Sequence, residues 1–189
     1  MSIYHSKEGI EQYVEMADGY DGASLVELLH QHLGDGALLL ELGMGPGKDL
    51  DLLSKFYNVT GSDFSDLFLD RYRETHPDAD LLTLDAVDID TDRVFDAIYS
   101  NKVLHHLNDL DLEKSAVAQA AVLHRRGLIL HTFWYGHGIE EHAGMKFYMR
   151  DKSFLRKVFE PLFEIVVLDR YEEMEADDSL VMLARRRAG

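Results

Sequence analysis

The stretch "LLLELGMGPGKDL", residues 38 to 50, sets one acid, Glu41, just ahead of three glycines at alternate positions, Gly43, Gly45 and Gly47. Glycines in this pattern let the backbone turn tightly and approach a ligand closely. A carboxylate beside them repels a pyrophosphate and welcomes a cationic group. A GxGxxG dinucleotide fingerprint would need a glycine at position 48, where Lys48 stands, so the spacing speaks against a nicotinamide dehydrogenase. The ligand these residues suit is nucleoside-like, with something other than a phosphate at its far end.

A second group of candidates lies further along. His105 and His106 follow the apolar run "FDAIYSN", and histidine titrates near neutral pH, so either is a candidate catalytic proton acceptor. Adjacent residues on a helical turn diverge by roughly 100°, so at most one of the pair is expected to face a ligand. His131 and Trp134, in the run "GLILHTFW", and Tyr135 just after it, together with Tyr148, form a candidate substrate wall. His137, Glu140, Glu141 and His142 are not expected to hold a metal: the two histidines are five positions apart, off one helical face, and no HExxH-type motif is present. With no cysteine in the chain, disulfides, thiolate zinc sites and cysteine nucleophiles are excluded together.

The elements that must position these residues follow from periodicity. Helical spacing covers 6–17 and 23–33, the second closed by Gly34 as a C-cap. The continuous apolar run 37–42 suits a strand buried on both faces of a parallel sheet. A short helix over "KDLDLLSKF" comes next, and then strands and helices alternate: a strand at 58–63, the helix "SDLFLDRYRET", strands at 80–85 and 95–101, a long helix over 110–125 and a strand at 127–134. This alternation predicts an open, mostly parallel sheet with helices on both faces, and ligands in such sheets bind beyond the carboxyl ends of the strands. The loop "GHGIEEHAGMKFYMR" has no evident element and reads as a lid or specificity loop. The helix "DKSFLRKVFEPLF" and two strands, "EIVVLDRY" and "SLVMLARR", close the chain as an antiparallel hairpin around the acidic "EEMEADD".

Composition sets the surroundings. The 189 residues, 46% of them hydrophobic, make one domain with a substantial core. No signal-peptide core or membrane span is evident, so a cytoplasmic protein without membrane contact is expected. The net charge of −16 disfavours a nucleic-acid partner, and the one basic cluster, Arg185 to Arg187, reads as a solvated tail.

"ELGMGPG" resembles the first motif of class I S-adenosylmethionine-dependent methyltransferases, and other segments agree in order. Asp63, in "TGSDFS", stands where the family's acid accepts from both ribose hydroxyls, and Phe64 resembles its apolar residue on the adenine face. "LDAVD" is similar to the third motif, which implies that Asp85 and the backbone at Ala86 meet the adenine edge. "FDAIYSNKVLHHL" resembles the fourth, with Ser100 and Asn101 under the methionine part of the cofactor. The family often has a Pro-Gly turn before the fifth strand, where this chain has "LHRRG".

The resemblance implies a Rossmann-like three-layer α/β/α sandwich, its seven-stranded sheet mostly parallel with a reversed last strand. It implies one domain: a helical cover over 1–35, to which Tyr4, Tyr13 and Tyr20 would contribute, a cofactor-binding core over 36–134, and a substrate-side loop, helix and hairpin over 135–189. The expected activity is methyl transfer from S-adenosyl-L-methionine to a small-molecule acceptor by in-line displacement. The alternatives are a non-catalytic S-adenosylmethionine-binding protein acting through a partner, and a protein or RNA methyltransferase. The acceptor and the oligomeric state are not encoded in these motifs.

Overall fold

The apolar run before the glycines becomes β1, Leu38–Leu42, an inner strand of a seven-stranded sheet in a computed structural model of the chain. The structure describes residues 8–11, 22–142 and 144–188; of the predicted first helix only 8–11 fall within these, and they are helical, while Tyr4, Tyr13 and Tyr20 lie outside the described residues. Further strands are β2 (Asn58–Asp63), β3 (Leu81–Thr83), β4 (Phe95–Ser100), β5 (Leu123–Trp134), β8 (Phe163–Tyr171) and β9 (Ser179–Arg186), in the order β3-β2-β1-β4-β5-β9-β8. The strands β3 to β5 lie parallel, and β9 runs antiparallel to both its neighbours. A helical crossover returns the chain to start β8, and the hairpin then reverses it into the gap beside β5.

Helices cover both faces. On one, α1 (Ala23–His30) packs Leu25, Val26 and Leu29 with Leu53 of α2 (Lys48–Leu53) against Leu39, Ala97, Tyr99, Leu128 and Leu130. On the other, α4 (Asp109–Val122) and α5 (Lys152–Phe159) pack Leu112, Ala116, Leu155 and Phe159 onto Leu40, Leu42, Ile98 and Ile129. The period-two alternation of β1 thus sends Leu40 and Leu42 to one layer and Leu39 and Glu41 to the other. α3 (Asp66–Thr75) seals the outer edge with Phe68, Leu69 and Tyr72.

Four boundaries differ from expectation. α1 stops at His30, ahead of the predicted Leu33, and Gly36 rather than Gly34 takes positive φ, at 75°. α4 ends at Val122 and β5 begins at once: "LHRRG" enters the sheet through an irregular register, with Arg126 at φ 63°, rather than continuing the helix. The loop after β5 is an antiparallel ribbon, β6 (Ile139–His142) with β7 (Met145–Tyr148), because Gly144, at φ 74°, supplies the tight tip. The basic triplet is no free tail: Arg185 and Arg186 finish β9, the Arg186 guanidinium donates to the Leu123 carbonyl, and Arg187 donates to the Glu160 carbonyl at 2.9 Å.

Candidate active site

The site lies at the carboxyl ends of β1, β2 and β4. After β1 the chain enters a turn in which Gly43, Gly45 and Gly47 have φ of 68°, 51° and 87°. An L side chain is disfavoured there, and space forbids one as well: a Cβ on Gly43 would lie 2.6 Å from a methyl of Val103, and one on Gly47 would run into the Tyr72 ring. The glycines therefore leave an open backbone cradle at the start of α2.

Glu41 stands under this cradle, 3% exposed, and its Oε2 has no hydrogen-bond partner. Burial raises its pKa well above the usual carboxylate range, and the nearby Asp49, Asp63 and Asp51 raise it further. A cationic group arriving here would relieve both the missing partner and the repulsion. Asp63 ends β2 and ties the cradle together: Oδ2 accepts from the Gly45 N–H at 3.1 Å and Oδ1 from the Ser65 N–H at 2.9 Å. Burial raises its pKa, and these backbone donors partly offset that. The Phe64 N–H is a third backbone donor to this carboxylate, and with each oxygen accepting about two bonds a position remains for a hydroxyl. Phe64, 49% exposed, stands at the rim, where Asp85 is also exposed and Ala86 half-buried.

Asp49 is the residue that sequence reasoning missed. It lies on the buried side of α2 and accepts from the Gly22 N–H at 2.8 Å, the Tyr99 hydroxyl at 2.7 Å and Asn101 Nδ2 at 3.0 Å. It thereby joins the segment before α1, the glycine turn and the end of β4. The available signal was its place beside Leu50 in "KDLDLL", on the helix face that carries the apolar residues.

Ser100 and His131 are brought together, but inside the core. Ser100 Oγ lies 2.8 Å from His131 Nδ1, His131 Nε2 lies 2.7 Å from Gln119 Oε1, Gln119 donates to Ser115 at 3.0 Å, and Ser115 donates to the Ala86 carbonyl at 2.6 Å. His131 is fully buried, and burial pushes its pKa down to about 3. The expectation that it binds substrate is corrected: both ring nitrogens are occupied in a chain linking β4, β5, α4 and the loop at Ala86, because inward positions of a strand buried on both faces point into the helix layer. The Ser100 hydroxyl is likewise engaged, and Asn101 spans Asp49 and Thr132 Oγ1, the latter at 2.6 Å.

Beyond β4, Lys102 takes φ 55° and sends its ammonium over the Trp134 ring, 3.4 Å from the centroid, to donate to Ser179 at 2.6 Å. Glu173 lies 3.7 Å away and also accepts from Tyr171; Asp178 builds the turn that holds it, accepting from the backbone N–H groups of Glu173, Met174 and Glu175. One face of Trp134 is thus covered by a cation, and one face of Tyr135 by the Arg170 guanidinium at 3.5 Å. Tyr148 is half-buried on β7, 5.2 Å from Arg150.

Burial pushes Lys102 down to about 8, against the upward pull of Glu173 and Asp178. Its unfolded value is near 10.4, so between these limits the unfolded chain binds more protons and stability rises with pH. The unfolding midpoint in urea should therefore increase from pH 8 to 10, and Lys102→Met should flatten that increase. Above pH 10 the sign reverses, because burial raises Tyr99 and Tyr171 in the fold.

His105 and His106 sit in a 3-10 turn, Leu104–His106, and do not diverge as expected for an α-helix. Their rings meet, Nε2 to Nε2, at 3.1 Å, with the Phe147 ring of β7 stacked on His105 at 5.2 Å. Arg150 clamps the end of the turn, donating to the Leu107 carbonyl at 2.8 Å and to Asp109 at 2.7 Å.

Comparison with known proteins agrees with this geometry. The family model described as "Methyltransferase domain" matches residues 39–127, the span from β1 into β5. Residues 39–127 of this chain are a methyltransferase domain, within the fold of the class I enzymes. Among solved structures, its fold is similar to the 1,6-didemethyltoxoflavin-N1-methyltransferase of Burkholderia thailandensis, at TM-score 0.79 and 20% identity, with 96% of this chain and 85% of that one covered. It is also similar to the N-methyltransferase NodS of Bradyrhizobium japonicum WM9, at TM-score 0.76 and 15% identity over 100% of both chains. A third is a S-adenosylmethionine-dependent methyltransferase from Clostridium acetobutylicum ATCC 824, at TM-score 0.76 and 12% identity, covering 94% of this chain and 99% of that one. Comparison with curated proteins returns no match. Among the described residues of this methyltransferase, no helix is long and apolar enough to cross a membrane.

Proposed function

We propose that this methyltransferase transfers a methyl group from S-adenosylmethionine to a small-molecule acceptor. Bound S-adenosylmethionine supplies an electrophilic methyl group on a positively charged sulfur. The observation that carries the cofactor reading is the bare, buried Oε2 of Glu41 beneath a three-glycine cradle: an acceptor in need of a cationic neighbour, next to a backbone a nucleoside can approach. In this reading Gly43, Gly45 and Gly47 leave room for the cofactor, Asp63 accepts from the ribose, and Phe64, Asp85 and Ala86 border the adenine. Asp49 and Asn101 keep the methionine end in place.

The small-molecule part rests on enclosure. The β6-β7 ribbon lays Phe147 on His105, which is left 2% exposed, and Lys102 with Glu173 closes over Trp134. An open basic groove for a macromolecule is not what these residues build, and the net charge of −16 opposes a polyanion. The protein's part in the reaction is alignment of the acceptor and exclusion of water.

Calorimetric titration of ligand-stripped protein with S-adenosylmethionine, S-adenosylhomocysteine and NAD tests the reading. Binding of the adenosyl pair without NAD is expected; binding of NAD alone would overturn it. Asp63→Ala should weaken adenosyl binding by about 1 to 3 kcal/mol, through a lost ribose bond and a loosened Gly45. Unchanged affinity would remove Asp63 from the cofactor site.

A further inference from the structure

The histidine pair has a proton arrangement that its partners dictate. The Lys146 carbonyl, 2.9 Å from His106 Nδ1, can only accept, so that nitrogen carries the proton and neutral His106 has its lone pair on Nε2. Of the two Nε2 atoms that meet at 3.1 Å, the donor must then be that of His105. Neutral His105 is left with its lone pair on Nδ1, and this atom is the one that is buried without a partner. A bare buried acceptor is unfavourable unless something supplies a donor. The ring is held by Phe147 on one side, and Val103, two residues earlier, abuts Gly43 of the cofactor cradle.

We infer that the methyl acceptor presents an N–H or O–H group to Nδ1 of His105, and that its proton leaves through His105 to His106. This rests on the methyl-transfer reading above. The acceptor heteroatom bonds the methyl carbon with its own lone pair, and the carbon-sulfur bonding pair stays on sulfur. The heteroatom's proton goes to Nδ1 of His105 while the Nε2 proton of His105 passes to Nε2 of His106. The positive charge lost at sulfur reappears on His106, whose Nδ1–H remains on the Lys146 carbonyl. His106 is half-buried where His105 is buried, so it is the outer member of the relay. Burial lowers the pKa of both rings, and for His105 the neighbouring His106, Lys102 and Arg150 add to the effect, which favours passing the proton outward. The acceptor class is therefore an amine, amide, phenol or alcohol rather than a thiolate or a carbanion.

The test combines a tautomer measurement with a turnover panel. Long-range proton-nitrogen NMR of protein labelled with nitrogen-15 histidine, free and with S-adenosylhomocysteine, should show His105 protonated on Nε2 and bare on Nδ1, and His106 the reverse; His105→Gln assigns the signals. A proton on Nδ1 of His105 in the resting protein overturns the inference. S-adenosylhomocysteine release is then followed with a panel of amines, phenols and thiols. Every acceptor turned over should carry N–H or O–H; turnover of thiols alone overturns it, and if none reacts the tautomers decide. His106→Gln offers an amide oxygen to His105 Nε2–H and takes no proton, so it should keep the His105 tautomer and KM while kcat falls roughly 10- to 100-fold, at or below the lower end of the roughly 100- to 10,000-fold of general acid-base catalysis because His105 still takes the first proton. Wild-type kcat in that variant removes the relay. Failure of the methyl-transfer reading is visible separately, as wild-type protein that does not bind S-adenosylhomocysteine.

Discussion

Gly43→Ala is expected to abolish measurable cofactor binding at micromolar protein and to lower stability. Two effects add at this position. Alanine at φ 68° sits in the left-handed region, which costs about 1 to 2 kcal/mol. Its Cβ would also fall 2.6 and 2.7 Å from the two γ-methyls of Val103, and forcing extra volume into a packed contact costs about 1 to 3 kcal/mol. Val103 is β-branched and stiff at χ1, so relief requires movement of the turn that carries His105 and His106. A single methyl group therefore disturbs the cradle and the histidine pair together. The check is calorimetry with S-adenosylhomocysteine alongside urea unfolding, for Gly43→Ala alone and combined with Val103→Ala. The double variant should recover the clash but not the backbone strain. Full recovery would mean that the conformation at Gly43 is not what the cradle needs, and none would mean that Val103 is not the obstacle.

Asp49→Ala has the second large effect, on stability first. The carboxylate accepts three hydrogen bonds from Gly22, Tyr99 and Asn101, and the Tyr99 side chain is fully buried. Removing the acceptor leaves the Tyr99 hydroxyl, the Asn101 amide and the Gly22 N–H without this partner, at about 1 to 3 kcal/mol for each group left unsatisfied, partly offset by hydration of half-buried Asn101 and by less repulsion on Glu41. A net loss on the order of 2 to 4 kcal/mol is expected by urea unfolding. Asp49→Asn discriminates the cause: its amide oxygen can serve Tyr99 and Asn101, and only the bond from Gly22 turns unfavourable. It should cost on the order of 1 kcal/mol. Equal losses in the two variants would show that the charge of Asp49, and not its acceptor geometry, holds the three segments together.

Sequence alone went furthest where chemistry is local. Three glycines at alternate positions after an acid announced a cradle, because positive φ and close approach are properties of the residue type. The inner strands β1 and β4 were legible from their apolar residues, β2, whose NVTGSD has little apolar content, from its place between two helical segments, and the mostly parallel sheet from the alternation of strands with helices. The antiparallel last pair followed from two strands joined by a short polar connection, and that the last strand is the reversed one was implied by the family resemblance.

Tertiary structure decided what depends on partners distant in the chain. His131 looked like a substrate residue at a strand end, yet pairing with Ser100 and Gln119 makes it a link in the core, and no local pattern shows which strand face meets a helix layer. The ribbon at 139–148 was hidden because β6 is exposed along its whole length and β7 packs on the 3-10 turn rather than in the main sheet, so neither shows the alternation of a sheet strand. The roles of Asp49 and Lys102 rest on contacts with residues 27 to 77 positions away, which spacing along a sequence cannot reveal. The two adjacent histidines were found by their type, but their order, His105 facing inward with a bare nitrogen and His106 behind it, is set by one carbonyl at Lys146, 40 residues further along. Residue type determined which groups can bind and move protons; the long-range hydrogen bonds determined which atom of each group is left free to do so.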